Sequence, residues 1–133
     1  MSPDLHPDLS PEQRARLFRE GIELFARGEF FEAHETWETI WRSTTPEPRE
    51  LFQGLIQVAA ALHQFRDLKR TVGPRNTLAK ARSHLEPYAP SARGLDIETL
   101  LESVGAWQAW LEHREGPHPP PPVLRVLDPA AIL

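Results

Sequence analysis

The 133-residue chain contains no cysteine, and that absence removes disulfide frameworks, thiolate metal sites and cysteine nucleophiles together. No stretch approaches the ~20 consecutive apolar residues that a membrane-spanning helix needs. The opening Met1-Ser2-Pro3-Asp4-Leu5-His6 has neither a basic n-region nor an apolar h-region. These absences lead to the expectation of a cytoplasmic protein without a membrane partner. A Ser-His-Asp order, a phosphate-cradling glycine loop and a dinucleotide fingerprint are also missing, so the enzyme classes that advertise themselves by motif are absent. A net charge of -4 and a pI near 5.8 exclude a surface that is a nucleic-acid footprint throughout, while leaving room for a local basic patch.

What is present is helical. Hydrophobic side chains make up 40% of the sequence, enough for one core that buries roughly two thirds of the unfolded surface. Ser10-Pro11-Glu12-Gln13 supplies an N-cap, a first-turn proline and a capping-box glutamine, so a first helix starts there after a flexible tail over residues 1–9. Leu17, Phe18, Gly21, Ile22 and Phe25 give its apolar face, and Gly28 ends it. A second helix runs from Glu29 or Phe30 to Arg42, where Pro46 and Pro48 forbid continuation. A third spans about Arg49 to Arg66 or Leu68. Its apolar positions cover nearly the whole circumference, which marks a central helix, and Gln53, Gln57 and Gln64 form a narrow polar line. Pro74 opens a short fourth helix ending near Glu86-Pro87. Pro90 to Gly94 reads as a loop, and Asp96 caps a fifth helix carrying Trp107 and Trp110.

The fold class is therefore all-α, a compact bundle of about five helices with residues 10–115 as one domain. Residues 116–133 form an extended proline-rich tail, from Pro117 through Pro119 to Pro122, that ends in Val123, Leu124, Val126, Leu127, Ile132 and Leu133. A tail this apolar packs on its own domain or on a partner subunit. The second option, joined by the helix-five tryptophans, would make a homodimer.

The chemistry concentrates in Phe30-Phe31-Glu32-Ala33-His34-Glu35-Thr36-Trp37-Glu38-Thr39-Ile40-Trp41-Arg42. Phe30, Ala33, Trp37, Ile40 and Trp41 share one stripe, while His34 and Glu38 stand one turn apart on its shoulder, with Glu35 and Arg42 nearby. Gly21-x-x-x-Phe25-x-x-Gly28-x-Phe30-Phe31-Glu32-Ala33-His34-Glu35-x-x-Glu38-x-x-Trp41-Arg42, followed by Phe52-Gln53-Gly54-Leu55-Ile56-Gln57, resembles the signature of domain-of-unknown-function family 309 over roughly residues 17 to 88. The resemblance implies an all-helical bundle and carries His34, Glu35, Glu38, Trp41, Arg42, Gln53, Gly54 and Gln57 as signature positions, without an established activity. A fainter likeness to one tetratricopeptide hairpin has no second copy at a period near 34.

Several readings of the cluster stay open. If helix three is central, Gln53 and Gln57 are buried and need partners, and His34, Glu35, Glu38 and Arg42 can supply them, giving a structural network or a non-catalytic small-ligand site walled by Trp37 or Trp41. The alternative is a divalent-metal site, and with it a metal-dependent hydrolase, using His34, Glu35 and Glu38 with His63 on the third helix. Against it, the second histidine of His-Glu-x-x-His is missing. A third reading takes Arg66, Lys69, Arg70, Arg75, Lys80 and Arg82, with Asp67 the one acid among them, as a surface for an anionic ligand or RNA. Few aromatics interleave these cations, so nucleic acid ranks last. His84 and His113 read as ordinary boundary residues, and His6 and His118 as parts of proline-rich tails. On balance the residues lean away from catalysis.

Overall fold

The computed structural model describes residues 9–43 and 48–132. The expectations for residues 1–8, for Pro46 and for Leu133 lie outside the described residues.

Helix α1 (Pro11–Ala26) begins with a closed capping box. Ser10 Oγ accepts from Gln13 N at 3.1 Å and Gln13 Oε1 accepts from Ser10 N at 2.8 Å, satisfying donors that a bare helix start leaves open. Gly28 adopts φ 77°, a conformation that side chains resist, and so lets the chain reverse into α2 (Phe30–Ser43) within three residues. The expected stripe is the buried one: Phe30, Ala33, Trp37 and Ile40 are each no more than 2% exposed. Trp37 donates its indole N–H to Phe18 O at 3.3 Å and leans on Phe25, which meets Phe30 edge-on at 5.2 Å. These contacts join α1 and α2 as an antiparallel hairpin.

Helix α3 (Arg49–Arg66) packs against α2 on one side and α4 (Val72–Leu85) on the other. Nine of its residues are buried, and its apolar circumference also meets Phe18 of α1, through Phe52 at 5.1 Å. Gly54 lets Leu85 of α4 approach to where a β-carbon would stand, 2.5 Å away. Helix α4 starts at Val72, two residues ahead of Pro74; first-turn N–H groups have no intrahelical partner, so a proline there costs no hydrogen bond.

The stretch read as a loop holds more order than its sequence suggested. A 3-10 turn covers Glu86–Tyr88, and Ser91–Ala92 pairs antiparallel with Leu95–Asp96 as β1 and β2. The two residues between them, Arg93 and Gly94, both have positive φ, 50° and 77°, as a tight hairpin turn requires. Asp96 then caps α5 (Ile97–His113), accepting from Thr99 N at 3.0 Å and from the Thr99 hydroxyl at 2.7 Å. Those two bonds lower its carboxyl pKa, the backbone one most.

Beyond α5 the proline-rich segment forms a strap over its own chain. Trp110 Nε1 donates to Gly116 O at 3.0 Å and Trp107 Nε1 to Pro120 O at 2.9 Å. Asp96 N reaches Arg125 O, Leu127 N reaches Gly94 O, and Val126 bridges Leu95. Ile132 is 4% exposed within the core. The strap covers Trp107 and leaves Trp110 half-buried, while Val123, Val126 and Leu127 remain exposed. Among the described residues no helix is long and apolar enough to cross a membrane.

Candidate functional site

Helix periodicity stacks His34, Glu38 and Arg42 on successive turns of α2. Glu38 accepts from His34 Nε2 at 2.9 Å and from Arg42 Nη2, a ladder within one helix whose exposed pairs are each worth about 0.3–0.5 kcal/mol. Trp41 lies partly buried behind it, with the Arg49 guanidinium 4.1 Å above its ring. Its indole Nε1 is buried and has no hydrogen-bond partner among the described residues.

Across the groove, α3 repeats the pattern. His63 Nδ1 meets Asp67 Oδ2 at 2.7 Å, and Arg66 Nε donates to Asp67 Oδ1 at 2.9 Å. The guanidinium and the imidazole hold the Asp67 carboxyl at about 2, with Arg66 the larger cause. Phe31, 43% exposed, lies between the two histidines, 6.2 Å from the His34 ring and 5.0 Å from that of His63. The α2 and α3 clusters meet through this ring contact.

That arrangement gives the metal reading no support. Glu38 faces Nε2 of His34 while Glu35 stands 3.8 Å from Nδ1, opposite edges of one ring, so the two carboxylates do not converge on a common point. His63 is turned to Asp67. Among the described residues no group of three or more His, Asp or Glu side chains is placed to hold a metal ion, and the four-residue set does not form.

The glutamine expectation also changes. Gln53 and Gln57 are half-buried, and Gln57 looks to α4, where its Oε1 lies 3.0 Å from His84 Nδ1. Gln64 likewise accepts from Thr77 of α4. Gln57 and Gln64 thus serve α4 and leave the α2 ladder to itself. His84 is the residue that sequence reasoning passed over: its Nδ1 also reaches Lys80 O at 2.9 Å and its Nε2 reaches Glu50 at 3.2 Å, tying α4 to the start of α3. A histidine four residues after Lys80 carries no mark of this in sequence, because its partners come from another helix.

The second passed-over histidine is His118. Its ring stacks on Trp107 at 5.1 Å and 24° and meets Phe65 edge-on at 5.7 Å. Phe65 in turn packs on both tryptophans, at 5.2 and 5.4 Å. Beneath this cluster Gly28, Phe30, Leu62, Phe65, Arg66, Trp107, His118 and Pro121 line a recess of about 100 Å³. It adjoins a wider cleft of about 360 Å³ bounded by Phe65, Arg66, Lys69, Thr71 and His118. The sequence signal was the pair of tryptophans three apart, with a histidine among prolines further along at position 118.

Residues 18–73 match the model of the domain of unknown function DUF309. The motif-based resemblance and the model match fall on the same part of the chain. The matched segment runs from within α1 to the start of α4, so it holds the whole α2–α3 cluster and one side of the recess; α5 and the strap lie outside it. The chain is similar to an uncharacterised protein of Aquifex aeolicus, 29% identical over 100 residues, covering 72% of this chain and 30% of that protein. It is also similar to the uncharacterised protein YpuF of Bacillus subtilis, 34% identical over 84 residues, covering 61% of this chain and 48% of that protein. The chain spans less than half the length of either relative.

Proposed function

We propose that this chain is a non-catalytic binding module whose ligand is a small molecule with a planar, apolar body, seated in the recess between α3, α5 and the strap. The observation that carries the reading is the cage of Phe65, Trp107 and His118, a recess of about 100 Å³ at its base and an open cleft beside it. A 150 Å³ apolar cavity takes benzene, so a recess of this size accepts part of one ring and the cleft takes the rest. Concave, mostly apolar sites with a few polar groups at the edge are the usual form of small-molecule sites. The α2 ladder supports the same division of labour: each of its groups has an intramolecular partner, and it lines neither the recess nor the cleft.

The test is a titration with benzyl alcohol followed by ¹H–¹⁵N correlation spectra. The expected result is a saturable shift of the Trp107 indole N–H, which lies against Pro120 O, with accompanying shifts of the Phe65 and His118 backbone amides, and it is the amide shifts that Trp107→Leu abolishes. Shifts centred instead on Phe31, His34 and His63 would move the site to the α2–α3 face and overturn the reading.

A further inference from the structure

Resting on that reading of the recess, we propose that its ligand is an anion, a planar ring bearing a phosphate or carboxylate group that meets Lys69 at the mouth of the cleft. The residues lining the recess and the cleft include Arg66 and Lys69 and no carboxylate. Arg66 is already committed. It donates to Gly28 O and to both oxygens of Asp67, and its guanidinium covers the Phe30 ring at 4.7 Å. Asp67 thereby balances Arg66 and fixes it in place, which leaves the Lys69 ammonium as the uncompensated charge of the cleft. Among the described residues Lys69 makes no ion pair. Its backbone sits at φ 56°, a conformation that favours glycine or asparagine, so the turn carries a cation at a conformational cost. Thr71, next along the cleft, has a hydroxyl that makes no capping bond to α4 among the described residues.

Aromatic cages also take quaternary ammonium ions, through the negative faces of their rings. Here that choice is disfavoured on two counts. The Phe30 face is taken by Arg66, and an ammonium ligand would meet Lys69 without any lining carboxylate to offset it. An anion instead gains a charge-assisted contact that a neutral ring lacks.

The experiment compares four compounds by calorimetric titration of the full chain at low salt: benzyl alcohol, phenyl phosphate, phenyltrimethylammonium and inorganic phosphate. The expected order puts phenyl phosphate about five- to tenfold tighter than benzyl alcohol. That advantage shrinks at high salt and is lost in Lys69→Gln, in which phenyl phosphate and benzyl alcohol bind alike. Circular dichroism establishes that the variant folds, and the salt titration on the unaltered protein gives an independent reading of the same charge. Equal binding of the three ring compounds would overturn the anion and leave the recess as an apolar site. Tightest binding of the ammonium compound would reverse the sign of the inference. Inorganic phosphate binding as well as phenyl phosphate would mean a charge contact without the cage. Failure of every ring compound to bind would remove the proposed site and the anion with it.

Discussion

Gly21 lies inside α1 with its Cα against the Trp37 indole, and a β-carbon added there would stand 2.1 Å from Nε1 and 2.6 Å from Cδ1 and Cε2. Gly21→Ala therefore sets two effects against each other. In a helix interior alanine is favoured over glycine by about 1 kcal/mol. Against that gain, the indole must move by about 1.3 Å to regain ordinary contact. Trp37 has no exposed surface into which to move, so overpacking costs about 1–3 kcal/mol. Its N–H leaves Phe18 O, and a buried unpaired donor costs a further ~1–3 kcal/mol. The net expectation is a loss of about 1–5 kcal/mol, a large part of the ~5–15 kcal/mol typical of a domain. Urea denaturation followed by circular dichroism measures it. Gly105→Ala in α5 is the internal control: there the β-carbon meets Arg82 Nη2 at 3.4 Å, an ordinary contact with a flexible side chain, and the helix preference should prevail, raising stability by about 0.5–1 kcal/mol. A double-mutant cycle with Trp37→Phe should recover part of the Gly21→Ala loss. Unchanged or increased stability for Gly21→Ala would refute the α1–α2 packing described above.

Two further outcomes test the electrostatics and the strap. Asp67 is held at about 2, below its ordinary 3.8, so its contribution to stability is complete above 3.8 and disappears as pH falls through about 2; Asp67→Asn should flatten that part of the pH–stability curve relative to the unaltered protein. With its side chain 38% exposed the difference is small, and superimposable curves would mean that the Arg66 and His63 bonds do not persist in solution. Ile132→Ala removes a side chain that is 4% exposed and should cost about 2–4 kcal/mol while red-shifting tryptophan emission. A cost below ~0.5 kcal/mol, that of a surface change, would mean that the end of the strap is not packed in the core.

The helices could be read from punctuation and period because both are local. Ser10 with Gln13, Gly28, Pro48 and Asp96 fix starts and stops within a few residues, and a stripe such as Phe30, Ala33, Trp37 and Ile40 needs no knowledge of what covers it. The His34–Glu38–Arg42 ladder was legible for the same reason, since i, i+4 spacing alone makes those pairs. Partners between helices were not. The wheel of α3 showed that Gln57 is set apart from the apolar face, but it cannot say whether α2 or α4 lies opposite, and the answer was His84. The β1–β2 pair escaped because two residues per strand give no alternation to detect, and the segment that bridges it at Leu95, Val126, comes some thirty residues on. His118 escaped because a histidine in a proline run reads as tail until Trp107 is seen beneath it.

The strap joins distant parts of the chain: Ile132 and Pro129 share one depression with Arg19, Ile22 and Glu23 of α1. Contacts that close so long a loop recover their entropy late, so the α1–α2 and α3–α4 hairpins should assemble before the strap seats. Read in reverse, the strap is the segment to detach first under mild denaturant, opening Trp107 and Trp110 while the helices stay paired. Because Pro121 and His118 line the recess, a bound molecule would hold this latch shut, and occupancy would appear as slowed hydrogen exchange at Leu127 N and Asp96 N, the amides that tie the strap to the β1–β2 hairpin.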